Sequence, residues 1–300
     1  MGCANLGTVI LTGPDGADRL DEVVGLARGA CDDGVALGCG NLARFHLAGV
    51  GVPRDEVRAA TLFGRACDGG LVSGCANLGG LFIRGTGDVS KDEEQGRALL
   101  ERACGAGDAD GCADLGIVHA EGIGGAPVDP ARAAELYARA CDDDATVGCT
   151  NLGKLHESGV GVPADAARAA RLYRRACEAG LTASCLNLGT LLEDGRGVER
   201  DLDAARALHR KACDGGTAMG CMNLALLFEN GTGVDPDARQ AAAFLRAACD
   251  LDHPTGCASL GDLYERGLGV ARDEARARRL YRSGCDARDA WACDRLGPDR

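Results

Sequence analysis

A chain of 300 residues with a formal net charge of −12 and only 3% aromatic residues has few of the bulky side chains from which one large core is built. Its acidity disfavours nucleic acid and anionic membrane surfaces as partners and leaves basic or neutral ones. No apolar run approaches the ~18–20 residues of a membrane span.

Sixteen of the 17 cysteines fall into eight pairs: Cys31/Cys39, Cys67/Cys75, Cys104/Cys112, Cys141/Cys149, Cys177/Cys185, Cys213/Cys221, Cys249/Cys257 and Cys285/Cys293. Each pair encloses seven residues, and successive pairs step by 36 or 37. A fixed period of that length is the mark of a solenoid, in which each repeat buries its apolar face against its neighbours. One domain over residues 1–300 is expected. It has an irregular first copy at 3–31, regular copies at 39–67, 75–104, 112–141, 149–177, 185–213, 221–249 and 257–285, and a partial helix at 293–300. Cys3 is left over. It stands 36 residues before Cys39, so its partner would precede Met1. The chain is therefore expected to begin inside a repeat, by truncation or an internal start codon, and the lack of a leader there says little about export.

In chain order, each copy predicts two helices. Helix A is expected to open at the second cysteine of a pair. Leu recurs three residues on (Leu42, Leu78, Leu115, Leu152, Leu188, Leu224, Leu260), a small residue at the fourth position, and apolar or aromatic residues at the sixth and seventh. These positions share one helical face, and the small residue admits a neighbouring helix closely. A Gly ten residues past the cysteine, such as Gly159 or Gly195, fits a left-handed C-cap, and a second Gly two residues later continues the turn. Gly13–Asp18 lacks that second Gly and is expected to be a linker. Helix B then starts behind Asp55, Asp92, Asp129, Asp165, Asp201, Asp237 or Asp273, each twelve residues before a first cysteine and each a favoured N-cap. In the two long copies the extra residue is expected between the helices, around Asp88–Ser90 and Gly125–Val128.

The cysteine pairs join the end of one helix B to the start of the next helix A. Disulfides, reduced buried thiols and metal ligands all have to be weighed there. Zinc sites favour cysteines two to four apart with a further ligand set, and no regularly placed His supplies one, so the spacing favours disulfides and neither metal nor cofactor is expected. An oxidising compartment follows from that reading. His46, His119 and His156 share the seventh position of helix A with Phe82, Phe228 and Tyr264, and His209 shares a helix B slot with Tyr173 and Tyr281, so these histidines read as core. His253, in a turn, is irregular.

Two rows remain. Asn41, Asn77, Asn151, Asn187 and Asn223 stand two residues past the second cysteine, with Asp114 and Ser259 in the same slot. They predict either a repeated bond to neighbouring backbone or an amide ladder for the main chain of an extended ligand. Glu157, Glu193, Glu229 and Glu265 stand eight residues past it, a row suited to basic side chains or a solvated face. Earlier copies carry Ala76, Gly80, Ile83 and Ala113, Ile117, Ala120 at positions one, five and eight, an apolar stripe expected to lie free of the core.

The run Ala-Cys-x7-Cys-x-Asn-Leu-Gly, followed by Gly-x-Gly-Val and Leu-Tyr-x-x-Ala-Cys, resembles the Sel-one-like repeat (SLR), in particular the disulfide-bearing Hcp group of bacterial cysteine-rich proteins. The resemblance implies an all-α, right-handed α/α superhelix akin to tetratricopeptide repeats, with helix A on the concave side. It also implies a disulfide in each pair and a periplasmic or secreted setting. That group carries a label of penicillin-binding proteins with weak β-lactamase activity. None of Ser73, Ser90, Ser158, Ser184, Ser259 or Ser283 has Lys three residues on, and Ser-Asp-Asn and Lys-Thr-Gly are both missing. The expected function is thus a non-catalytic, monomeric scaffold binding an extended protein or peptide segment, with β-lactam hydrolysis as the alternative and no catalytic residue assigned.

Overall fold

The structure, a computed structural model, describes residues 16–297 and is all-helical over them. The chain divides into two compact units, up to Pro163 and from Ala164. In the first lie α1 (Gly16–Asp32), α2 (Ala36–Ala48), α3 (Glu56–Asp68), α4 (Val72–Arg84), α5 (Glu93–Gly105), α6 (Ala109–Glu121), α7 (Pro130–Asp142) and α8 (Thr146–Ser158). The second holds α9 (Ala166–Glu178), α10 (Thr182–Asp194), α11 (Leu202–Asp214), α12 (Ala218–Asn230), α13 (Ala238–Asp250), α14 (Pro254–Arg266), α15 (Glu274–Asp286) and α16 (Ala290–Leu296). From α2, even-numbered helices are A helices and odd-numbered ones are B helices. Within each unit, consecutive helices pack in pairs as a solenoid.

The B helices start where the aspartates predict. Asp55 accepts from the Arg58 N–H at 2.8 Å, Asp129 from Arg132 at 2.9 Å and Asp201 from Ala204 at 2.9 Å. The same residues close the linker, because the Asp129 N–H donates to the His119 carbonyl at 2.8 Å and the Asp273 N–H to the Tyr264 carbonyl at 2.9 Å. The expected extra residues sit in the loops: Ile123–Gly125 forms a 3₁₀ turn, and the Val89 N–H closes a turn onto the Thr86 carbonyl.

Three expectations need correction. The first is where the A helices open, which is three residues before the second cysteine and not at it. In the first unit Cys39, Cys75, Cys112 and Cys149 follow helix starts at Ala36, Val72, Ala109 and Thr146. In the second, Cys185, Cys221, Cys257 and Cys293 follow starts at Thr182, Ala218, Pro254 and Ala290. Each of these cysteines thus lies in the first turn of its helix. Most A helices are capped by backbone alone, from Val35, Leu71, Ala145, Leu181 and Thr217; the first four have no side chain able to cap, and the Thr217 hydroxyl pairs with Thr182 instead. Second, residues 16–18, expected in a linker, already belong to α1, and the rest of that stretch, with Cys3, lies outside the described residues. The third concerns the apolar stripe: Ala76 and Ala113 are buried in the core, and Ile83 packs against it, so the stripe is not free.

All eight cysteine pairs are disulfides, with Cα–Cα separations of 4.4–4.7 Å. Cys31–Cys39, Cys67–Cys75, Cys104–Cys112 and Cys141–Cys149 lie in the first unit. Cys177–Cys185, Cys213–Cys221, Cys249–Cys257 and Cys285–Cys293 lie in the second. Each clamps a B helix, or α1 in the first copy, to the following A helix across their short turn. A second tie runs between repeats. Arg65, Arg102 and Lys211, each two residues before a first cysteine, donate to the carbonyls of Cys31, Cys67 and Cys177 in the preceding repeat at 2.7, 3.2 and 3.0 Å. A cation at a helix C-terminus satisfies an orphan carbonyl and opposes the negative end of the helix dipole.

The small fourth position does admit a neighbour. A Cβ at Gly116 would lie 2.5 Å from the Tyr137 ring, one at Gly189 2.8 Å from His209, and one at Gly261 2.9 Å from Tyr281. The second glycine of each turn has a similar reason: a Cβ at Gly197 would meet Ala166, and one at Gly269 the Ala238 carbonyl, in the first turn of the preceding B helix.

Candidate interaction face

On each A helix, residues 3, 4, 6 and 7 past the second cysteine point into the core. Residues two before it and two, five and nine after it therefore share the opposite side. On α12 these are Met219, Asn223, Leu226 and Asn230. Met219 and Leu226 are 45% and 49% exposed, on either side of the half-buried Asn223. In the first unit α4 packs on α6 and α6 on α8, and in the second α14 touches α16, while no pair of B helices among the described residues makes comparable contact. Neighbouring A helices thus touch from α4 to α8 in the first unit and at α14 and α16 in the second, and the Asn row lies on the outward side of the A helices.

The Asn side chains do not share one bond. Asn77 donates to the Ser73 carbonyl in its own helix at 2.6 Å, and Asn151 pairs with the Tyr137 hydroxyl. Asn41, Asn187 and Asn223 are half-buried in the same slot. Asp114 occupies it on α6, 4.0 Å from Arg84, and burial holds its carboxyl above the usual range against that attraction. Tyr137, buried beside Glu121 and Asp114, has its hydroxyl pKa pushed well above the usual phenol value.

The Glu position lies off the centre of the face, turned toward the B helix of its own repeat. In the second unit the Tyr281 hydroxyl donates to Glu265 Oε2 at 2.7 Å, and Arg295 joins the same oxygen. These partners, Tyr281 first, hold the Glu265 carboxyl below the usual range, while burial lifts the Tyr281 hydroxyl to about 12. Glu193 accepts from His209 Nε2 at 3.2 Å. His209 is 0% exposed, so the carboxylate satisfies a buried ring, and its Nδ1 has no partner. Glu229 differs because the residue sixteen further on is the apolar Leu245. The Glu229 side chain reaches the surface and makes no hydrogen bond or ion pair among the described residues; partial desolvation of the carboxyl and the Asp262 charge hold it above the usual range against the attraction of Arg266. Glu157 is half-buried on α8 in the first unit.

The Glu pairs were visible only as a sixteen-residue spacing to His209 and Tyr281, a signal that periodicity alone does not single out. His253 is a helix cap, its Nδ1 accepting from the Gly256 N–H at 3.2 Å. His46 and His156 are buried, as their slot predicts, with Nδ1 facing the carbonyls of Pro53 and Pro163 at 3.3 and 3.2 Å. Ser184 is likewise buried.

A disulfide-clamped solenoid of thirteen-residue helix pairs is a repeat scaffold, a class that functions through its surface. The chain belongs to the Sel1 repeat family, whose model matches residues 36–71, 72–108, 109–144, 146–181, 182–217, 218–253 and 254–289. Proteins of this family are typically protein-interaction scaffolds. Among solved structures the chain resembles a protective antigen of uropathogenic Escherichia coli displaying an SLR fold, at 26% identity and a TM-score of 0.68 over 98% of this chain. The match spans 62% of that antigen's length. A Sel1 repeat protein from Oxalobacter formigenes is 21% identical with a TM-score of 0.65, covering 74% of this chain and 86% of its own. The cysteine rich protein B of Helicobacter pylori is 29% identical over 43% of this chain and 92% of its own, with a TM-score of 0.36. No curated protein matches the chain. Disulfides in every repeat are those of an oxidising, extracytoplasmic setting. No helix among the described residues is long and apolar enough to cross a membrane.

Proposed function

We propose that this protein is a non-catalytic scaffold, periplasmic or secreted, that binds an extended segment of another protein along the face of its A helices. The observation that carries the reading is the outward side of α12, where the half-buried Asn223 stands between the exposed apolar side chains of Met219 and Leu226. Amides at a repeat spacing suit the donors and acceptors of an extended main chain, and apolar neighbours suit its side chains. Asn41, Asn77 and Asn151 would serve the first unit, Asn187 and Asn223 the second. Of the acidic row, Glu157, Glu193 and Glu265 would add a negative field at its edge and Glu229 a carboxylate free to pair. Such rim charges give modest affinity that salt weakens.

The test is selection of extended dodecapeptides from a random library on the purified, oxidised protein, followed by titration calorimetry. Substituting Asn187→Ala and Asn223→Ala together should weaken the selected peptides at least tenfold while the thermal midpoint stays within a few degrees. Unchanged affinity would remove the Asn face as the binding surface. Nitrocefin turnover by the same preparation would instead favour the β-lactam reading.

A further inference from the structure

Between the end of α12 and the face of α14 lies a cleft of about 540 Å³, lined among others by Glu229, Asp262, Leu263, Arg266, Leu268 and Trp291. Its volume falls in the range of ligand pockets, roughly 300–1,000 Å³. The charges around it do not cancel. Asp262 is engaged by Arg266 at 2.9 Å and Arg295 at 3.4 Å, and Arg295 also joins Glu265. Three carboxylates thus face two guanidiniums; Arg266, committed to Asp262, also attracts Glu229 but forms no ion pair with it, so the net negative charge is left at Glu229. Trp291, the one tryptophan in the chain, is 44% exposed and stands edge-on to Tyr281 with ring centroids 5.8 Å apart. The Arg295 guanidinium lies 5.6 Å from its ring centroid, so this indole already engages one cation, and its remaining surface lines the cleft.

An apolar wall, an aromatic ring and an unpaired carboxylate are the elements that hold a long cationic side chain, with its methylene stem on the wall and its charge against the carboxylate and ring. The geometry points to this cleft as the recognition pocket for one lysine or arginine side chain of the bound segment, Glu229 pairing the cation and Trp291 with Leu263 and Leu268 holding its stem. The occupant follows from the proposed scaffold function, and the pocket gives that function its side-chain selectivity.

The full chain can be titrated with the capped tripeptide acetyl-Gly-Lys-Gly-amide while Trp291 emission is followed, with acetyl-Gly-norleucine-Gly-amide as the uncharged counterpart. The lysine peptide should give a saturable change that weakens at least threefold between 20 and 300 mM salt, on the order expected for an exposed ion pair, and at least fivefold in Glu229→Gln. The norleucine peptide should bind at least fivefold more weakly. Equal binding by wild type and Glu229→Gln, or by both peptides, would overturn the assignment. Because Glu229 makes no bond within the fold, that variant should melt like wild type, which separates a lost pocket from a lost structure. If library-selected peptides depend on Asn187 and Asn223 but not on Glu229, the pocket falls and the scaffold stands; the lysine peptide binding alone gives the reverse.

Discussion

Two glycines in helices show how local space sets the sign of one substitution. Ala exceeds Gly in helix propensity by about 1 kcal/mol, which alone would make every helical Gly→Ala stabilising. At Gly64 in α3 the nearest atom to an added Cβ is 3.8 Å away, so Gly64→Ala should stabilise by up to about 1 kcal/mol. At Gly116 the same methyl would stand 2.5 Å from the ring of the buried Tyr137, which cannot swing aside. Overpacking costs typically 1–3 kcal/mol, so Gly116→Ala should be net destabilising, and urea unfolding of the two variants should move in opposite directions. His209 sets a pH limit by similar means. Its Nε2 faces Glu193 and its Nδ1 faces no acceptor, so a second ring proton would be buried unpaired, and burial holds the imidazole below its ordinary value of 6.5. The unfolded chain therefore binds more protons than the folded one below that value, and stability falls as pH drops through the ordinary imidazole range toward the lower folded value. Above about pH 7 the contribution is complete. Tyrosine fills this slot in α15 against an equivalent glycine, and it bonds its own glutamate. His209→Tyr should then lose less stability than wild type between pH 7 and pH 5; identical pH profiles would show that this ring does not matter.

Elements were legible in the sequence to different degrees, for physical reasons. The B helices could be placed almost to the residue, because an aspartate side chain caps each one and a side-chain cap is written in the residue type. The A helices could not, because Val35, Leu71, Ala145 and Leu181 cap through backbone geometry alone, and the cysteine that looked like a boundary, Cys75 or Cys149 for example, sits a turn inside. The same limit applies at the face. The Asn row was evident from spacing, but whether Glu193 and Glu265 point at a ligand or at their own B helix depends on the tilt between two helices, which no period encodes. Disulfides act at this scale. Closing a loop of eight residues removes unfolded-chain entropy worth roughly 2–3 kcal/mol in the chain-entropy model, and in a solenoid the effect should stay with its neighbours. Cys177→Ser with Cys185→Ser should lower stability by about that amount, with amide protection lost first at the end of α9 and the start of α10. Loss spread evenly over all repeats would contradict a nearest-neighbour solenoid. Lys211→Met, which uncaps the Cys177 carbonyl, should cost about 0.3–1 kcal/mol at the same joint.

For the molecule as a whole, the repeat makes every covalent tie local, and this bears on how the chain reaches its fold. Each bridge spans eight residues, whereas the nearest alternative partner for Cys39 beyond its own pair is Cys67, 28 residues on. Loop-closure cost grows as (3/2)RT ln n, so the longer loop is disfavoured by about 1.1 kcal/mol, roughly sixfold, before any helix forms. Helix formation widens the gap, because a B helix and the following A helix bring their two cysteines to Cα–Cα distances of 4.4–4.7 Å, while Cys39 and Cys67 belong to different bridges. A net charge of −12 keeps separate chains apart during the process and disfavours bridges between molecules. Oxidative refolding of the reduced protein at low concentration should therefore pass through one-disulfide species that already carry eight-residue bridges. Its product should hold eight such bridges and one thiol open to alkylation, at Cys3, the cysteine that the register leaves over. Peptide mapping of alkylated intermediates at successive times reads this directly. A majority of early bridges spanning 28 residues or more would mean that collapse, rather than local closure, chooses the pairs.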